Sequence, residues 1–331
     1  MKHKLFMGVC LVILLTGCSS SQTLHKNAAK IQHDSNIISN KSSETSNNKI
    51  NSSLEQEQIM NEFNKLINTK DISEQEIIKF VDHNIKNISS DNASKLVLGI
   101  EEVQNKNYEK RINSFFEGNI QTKISKAFAY KNNIDILDTM KGLDNVKDYE
   151  LKKYLSEIIQ CGYKIISSEG QYYPIQNYEY LKKYNNYITY DIKEYINIKS
   201  LDSAHPSTSD AAIIISWDEI FQRALKSENF LKKYPFSHKF EDIKQHYLFY
   251  AATYLYGTNN SPSFDYINNK LSNDILESYR TVSSNKSLKG DLVEITKNYL
   301  DILKKYNYKL TDEVETYRKN ALNTLAKIYT N

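Results

Sequence analysis

Residues Ser73-Glu-Gln-Glu-Ile-Ile-Lys-Phe-Val-Asp-His-Asn-Ile-Lys-Asn-Ile88 decide how the chain is read. Ile77, Phe80, Val81, Ile85 and Ile88 recur three and four residues apart, so they form one stripe of a helix, with charged and polar residues on the other side. Ser73 followed by Glu76 makes a capping box, in which the serine oxygen accepts from an orphan backbone amide and the glutamate returns the contact. An amphipathic helix needs a partner for its apolar face, and the flanking sequence supplies several.

Upstream, Ile59, Phe63, Leu66 and Ile67 repeat the spacing from about Leu54. Downstream, Leu96, Val97, Ile100 and Val103 lead to Ile112, Phe115 and Phe116, and Gly118 breaks the pattern. Helical patterns follow at 119–131 and 146–161, the second ending at Gly162, a residue suited to the left-handed position after a helix. Short links between amphipathic helices favour antiparallel packing, so 54–162 is expected to be an N-terminal helical bundle. In 163–209 the pattern changes. Tyr163-Lys-Ile-Ile, a turn ending at Gly170 and Gln171-Tyr-Tyr-Pro-Ile fit a short hairpin, and Pro174 confines its second strand to an edge. A helix over about 177–198 and a loop from Ser203 to Asp210 follow, with Asp210 expected to cap the next helix. Helices are then expected at 211–226, 228–234, 238–256, 272–283, 287–306 and 312–329. The predicted fold is mainly α: the bundle, a tyrosine-rich irregular or β-hairpin centre, and a helical-hairpin region over 210–331.

Composition agrees. Nine glycines and four prolines in 331 residues are too few for an all-β fold with frequent tight turns, and 40% hydrophobic with 25% charged residues suits a body that folds in water. Of the 43 basic residues only Arg111, Arg223, Arg280 and Arg318 are arginine. The formal charge of +3 falls to +1 without Lys2 and Lys4, so there is no broad basic field for nucleic acid.

The N-terminus has signal-peptide layout: Lys2 and Lys4, an apolar run from Leu5 to Leu15, then Leu15-Thr-Gly-Cys18. The run is about half the roughly 20 residues that a spanning helix needs. Leu15-Thr-Gly-Cys18 resembles the lipobox of bacterial lipoproteins. The resemblance implies a signal peptide over 1–17, diacylglycerol on Cys18 and residence on the extracytoplasmic face of the cell membrane. Two acyl chains anchor stably where one does not. Ser19 to Ser53 holds ten serines and six asparagines with no aromatic residue, glycine or proline, so 18–53 is expected to be the anchor and a disordered tether, reaching roughly 30 Å on average.

Two further resemblances are looser. Phe230-Leu-Lys-Lys-Tyr-Pro-Phe-Ser237 resembles the helix-to-helix turn of tetratricopeptide-type bacterial lipoproteins. With Glu169-Gly-Gln-Tyr-Tyr-Pro and Ile215-Ser-Trp-Asp-Glu219, the whole chain is similar to poorly characterised helical lipoproteins of clostridia and their relatives. That resemblance implies helical architecture and no particular activity.

Motifs for nucleophilic, phosphate, dinucleotide, zinc-protease or calcium chemistry do not occur. His238, Asp242 and His246 share a helix face that a divalent metal can use. Ile243, Tyr247, Tyr250 and Tyr254 lie opposite, so the His/Asp stripe reads more simply as the solvated side, and neither metal nor cofactor is assigned. Cys161, the only thiol after Cys18, follows Ile158 and Ile159 and reads as a small buried hydrophobe. Glu169, Asp191, Glu194, Asp218 and Glu219 flank the centre as candidate glycosidase carboxylates, though exposed charge is the default state of such residues. Nine tyrosines between Tyr163 and Tyr195 are too dense for helix periodicity alone. They fit either packing between irregular segments or an aromatic platform for a ligand.

The candidate ligand-binding residues are therefore Glu169, Tyr172, Tyr173 and Trp217, with Cys18 as the lipidation site and no catalytic residue assigned. The expected function is a surface-anchored, non-catalytic helical scaffold for a protein or peptide partner. The alternative is a cell-wall glycan or peptidoglycan binder or hydrolase, with Glu169 or Asp191 as acid.

Overall fold

Ser73 and Glu76 make the expected exchange. The Glu76 amide donates to Ser73 Oγ at 3.3 Å and the Ser73 amide to Glu76 Oε2 at 3.1 Å, starting a helix at Glu74. The computed structural model describes residues 43–128, 135–137 and 140–329. Cys18, the signal peptide and most of the expected tether lie outside them.

The described helices and strands run α1 (Ser43–Ile67), α2 (Glu74–Asn84), α3 (Ser90–Phe115), α4 (Ile120–Phe128), β1 (Asp135–Leu137), α5 (Tyr149–Gln160), β2 (Tyr163–Ser168) and β3 (Gln171–Gln176). Then come α6 (Tyr178–Leu181), α7 (Tyr190–Ala204), β4 (Thr208–Ser209), β5 (Ala212–Ile213), α8 (Trp217–Lys233) and α9 (Phe240–Tyr256). The chain ends with β6 (Gly257–Thr258), β7 (Ser261–Pro262), α10 (Asn273–Ser284), α11 (Asp291–Lys305) and α12 (Asp312–Ile328). The fold is mainly helical with small antiparallel hairpins, as expected. The chain divides between Ile59 and Met60, inside α1. Met60–Asn331 is one unit; of the other, only the helical residues from Ser43 are described.

Several expected boundaries move. α1 begins at Ser43, inside the stretch read as tether. The helix expected over 177–198 is two, because Asn185 and Asn186 interrupt it before Thr189 starts α7. The helices expected at 211–226 and 228–234 are one, α8. Its cap is Ser216, whose Oγ accepts from the Glu219 amide at 3.1 Å, and not Asp210. Asp210 sits at φ +50° in a hairpin turn instead.

Met60–Asn331 holds two apolar clusters. The larger joins Phe63, α2 and the first half of α3 to α6–α12, through side chains such as Val81, Ile100, Tyr195, Phe221, Tyr254, Tyr279 and Leu303. The smaller gathers Phe115, Ile124, Phe128, Leu137, Leu155, Ile158, Cys161, Tyr163 and Ile165. Neither follows the expected boundaries at 162 and 209. α3 crosses from one to the other, because its 26 residues, at 1.5 Å each, outreach one layer of packing.

β1, β2 and β3 form one antiparallel sheet in that order, so Pro174 lies on an edge strand as predicted. That edge is closed locally. The Tyr172 amide donates to Gln121 Oε1 at 2.9 Å and Gln121 Nε2 donates to the Tyr172 carbonyl at 2.8 Å, so one side chain pairs the strand as a neighbouring backbone would.

From α7 onward the helices alternate in direction. The start of α11 is seated on α8: the buried Glu228 carboxylate accepts the amides of Asp291 at 2.6 Å and Leu292 at 3.1 Å and the Tyr247 hydroxyl at 3.0 Å. A negative group at a helix N-terminus satisfies orphan amides and opposes the helix dipole. Gly290, at φ +151°, is required there because a Cβ would run into that carboxylate.

Candidate functional site

The connections after α5, α7, α9 and α11 leave the helices at one end, and there they are hydrogen-bonded to one another in a row. The β2–β3 turn touches the β4–β5 turn through Ser168 Oγ, which donates to Asp210 Oδ1 at 3.5 Å. The β4–β5 turn meets the β6–β7 turn through the Asn260 amide, which donates to the Ala211 carbonyl at 3.0 Å, and through Asn260 Nδ2 donating to the Asp210 carbonyl. The Ile213 amide adds a bond to Ser261 Oγ at 3.0 Å. Tyr266 OH then donates to the Asn259 carbonyl at 3.2 Å, bringing in the loop 265–270. That loop joins the α11–α12 connection through Leu310 N to Asn269 O and Leu271 N to Tyr308 O, both 2.8 Å.

The local sequence explains why these turns are rigid. Glu169-Gly170 and Asp210-Ala211 each place two residues at positive φ between paired strands, the type I′ geometry that matches strand twist. In the last loop Asp265 Oδ1 accepts the amides of both Ile267 and Asn268 at 2.9 Å, Asn268 Oδ1 accepts from Lys270 N at 2.8 Å, and Asn269 takes φ +56°. Glu169, Ala211 and Tyr308 hold left-handed backbone without the freedom of glycine, each at a cost of order 1 kcal/mol that the surrounding bonds must outweigh.

The row presents a mixed surface. Tyr266 is 74% and Ile267 95% exposed at the tip of the tightly bonded loop, although two neighbouring apolar side chains would ordinarily be covered. Asn259, Asn260, Asn268, Asn269 and Asn307 are exposed around them, with Glu169, Asp210, Asp265, Lys270 and Lys309.

Of the residues singled out from sequence, Glu169 belongs to this row, exposed at the β2–β3 turn. Tyr173 is 7% exposed, with its ring 5.6 Å from that of Phe116, and Tyr172 is half-buried against the smaller cluster. Trp217, the first residue of α8, is half-buried against the larger cluster. Among the nine tyrosines Tyr163, Tyr173, Tyr178, Tyr184 and Tyr195 are buried and only Tyr190, at 81%, is largely exposed. Packing therefore accounts for most of them. Tyr266, Ile267 and the asparagines around them were not singled out from sequence. The signal was there: Asn259-Asn260-Ser-Pro262 and Asp265-Tyr-Ile-Asn-Asn269 are clusters of turn formers that hold an apolar pair.

Directly below the β4–β5 hairpin, Asp202 in the last turn of α7 ties α7, α8 and α9 together. It accepts from Arg223 Nη1 at 2.9 Å, Tyr250 OH at 2.5 Å and His246 Nε2 at 2.6 Å. Burial opposes its charge, but His246, Lys199 and the Tyr250 hydroxyl outweigh it and hold the carboxyl well below the usual range. His246 is thus buried on the inward side of α9, contrary to the solvated stripe read from sequence, while His238 and Asp242 stay exposed. Among the described residues no group of three or more His, Cys, Asp or Glu is placed to hold a metal.

Ser227 Oγ lies 2.8 Å from His246 Nδ1, so Ser227, His246 and Asp202 make a hydrogen-bonded line of the composition used in nucleophilic catalysis. Ser227 has no exposed surface, sits in the middle of α8 and donates to the Arg223 carbonyl at 3.0 Å. A nucleophile must reach its substrate, so the line serves to tie α7, α8 and α9 together. Cys161 is buried, as read from sequence, and burial pushes its thiol up to about 12.

Comparison of the chain with known protein families, curated proteins and solved structures finds no match.

Proposed function

We propose that the chain is a lipid-anchored surface protein that acts as a non-catalytic helical scaffold and docks a partner protein on the bonded row of turns at one end. One observation carries the reading: four successive connections on that end are fixed to each other, and the apolar pair Tyr266 and Ile267 stands uncovered at the tip of the most tightly bonded of them. Binding residues concentrate on loops held by a rigid scaffold, and tyrosine with asparagine and serine is the composition of adaptable recognition surfaces. Preorganised loops lose little entropy on association, so a few anchors suffice. The anchor itself is read from Leu15-Thr-Gly-Cys18, outside the described residues, and no described helix is long and apolar enough to cross a membrane.

The test is affinity capture from native cells with the full chain and with its Tyr266→Ser/Ile267→Asp variant. A partner held by the first and released by the second, at equal melting temperature, supports the reading; a partner held equally by both refutes it. Anchoring is tested separately by Cys18→Ala, which should abolish membrane attachment.

A second reading, binding of cell-wall glycan, draws on another pair of rings. Ser237 Oγ donates to Asp191 Oδ2 at 2.6 Å, placing Phe236, 97% exposed, beside the Tyr190 segment. Stacking on sugar needs such open faces. Retention on purified peptidoglycan that Tyr190→Ala removes would favour it.

A further inference from the structure

A cleft of about 420 Å³ opens between the start of α2, the C-terminal part of α3 and the face of α5. Arg111 reaches it from α3. Its guanidinium is fixed from behind by the buried Glu74 carboxylate, with Nε to Oε1 at 3.0 Å and Nη2 to Oε2 at 2.6 Å, and Tyr163 OH donates to the same carboxylate at 3.1 Å. Two N–H groups are thereby spent, Nη2 also donates to Cys161 Sγ at 3.5 Å, and the plane of the fork is set, while Nη1 has no hydrogen-bond partner among the described residues. Lys153 and Glu157 line the same cleft from α5, one turn apart. Both are exposed, and among the described residues neither forms an ion pair, although pairs of this spacing commonly do.

The charge balance decides the ligand class. The lining side chains Arg111, Lys153 and Glu157 are offset to neutrality only by the buried Glu74 carboxylate held behind Arg111, and the Cys161 thiol is neutral at ordinary pH, so the cleft together with Glu74 has no net charge. A phosphate or other pure anion would find one oriented guanidinium but no net attraction. A zwitterion finds both halves of its charge met. We propose that this cleft binds a small zwitterionic solute, an α-amino acid, whose carboxylate is taken by Arg111 Nη1 and Lys153 and whose ammonium is taken by Glu157. A planar fork held from behind is the arrangement that recognises a carboxylate with direction as well as charge, and the volume lies within the range of small-molecule sites. The site is independent of the docking surface proposed above.

The experiment is isothermal titration of the full chain with alanine, acetate and methylammonium separately. Alanine should bind, about tenfold more tightly than acetate, with methylammonium weakest. Glu157→Gln should remove most of the advantage of alanine over acetate, and Lys153→Met should weaken both. Both substitutions are at exposed positions and should leave the melting temperature unchanged, which separates loss of the site from loss of the fold. No heat with alanine at millimolar concentration, equal affinity for alanine and acetate, or affinities indifferent to both substitutions would each overturn the proposal.

Discussion

The backbone amide of Asn260 meets the carbonyl of Ala211 at 3.0 Å, joining the turn that follows α7 to the turn that follows α9. Forty-eight residues separate Ile213 from Ser261, the neighbouring pair of the same junction, so the contact depends on three helices having already packed. Ala211 takes φ +58° to make it, and an alanine there is strained by roughly 1–2 kcal/mol. Ala211→Gly relieves that strain but adds freedom to the unfolded chain, so it should raise stability by about 0.5–1 kcal/mol. Thermal unfolding of the variant checks this, and a lower melting temperature would mean that the alanine methyl packs favourably.

Tyr173 should behave as a core residue. Its ring is covered and packs on Phe116, so Tyr173→Ala should cost roughly 3 kcal/mol, in the range of buried aromatic truncations. Tyr190→Ala, at an open position, should cost less than about 0.5 kcal/mol. Denaturant melts of the two variants side by side decide whether the tyrosine-rich centre is packing or platform.

The contrast shows what was legible beforehand. The capping box at Ser73 and the stripe from Ile77 to Ile88 announce α2 because cap and periodicity are local. The β2–β3 hairpin could be read for the same reason, from Glu169-Gly170 and Pro174. His246 reads from sequence as part of a solvated stripe, because its partner Asp202 lies 44 residues away and a histidine with a remote carboxylate partner looks, in sequence, like a solvated one. The row of turns was illegible as a row. Each turn is marked by its own residues, but the hydrogen bonds that fix Tyr266 beside Asn259 and Asn260 beside Ala211 exist only once the helices alternate.

Acid should unfold the protein through the buried carboxylates Glu74 and Glu101 and the half-buried Asp202. Asp202, Glu101 and Glu74 are each ionised more readily in the folded chain than in the unfolded one, because favourable partners outweigh the burial that opposes their charge. Groups with lowered folded values contribute stability that is complete above the ordinary carboxylate range and is lost as pH falls below about 4. Asp202→Asn should flatten that decline and destabilise the fold by about 2 kcal/mol near neutrality, since His246 would lose its carboxylate partner and Arg223 would keep only Glu219. Urea midpoints measured from pH 7 down to pH 3 test both statements; an unchanged slope in the variant would remove Asp202 from the explanation.

Lys199 makes the opposite case. It is buried on α7 with its ammonium 5.5 Å above the Tyr178 ring and, among the described residues, no carboxylate within ion-pair distance, and burial lowers its pKa. Between that lowered value and the ordinary lysine value the unfolded chain binds more protons, so stability should rise with pH there. Lys199→Met should remove the rise and stabilise the protein at pH 7 by about 1 kcal/mol. A destabilised variant would show that the ammonium is favourably held.

The central claim, that the bonded row of turns is the docking surface, is tested most directly by photo-crosslinking in native cells, with a photoreactive residue placed at position 267 and, as comparison, at exposed Asn298 on α11. The account predicts one discrete adduct from position 267, none from 298, and its disappearance when Tyr266→Ser is added. Adducts of equal yield from both positions, or an adduct at 267 that Tyr266→Ser leaves unchanged, would contradict it.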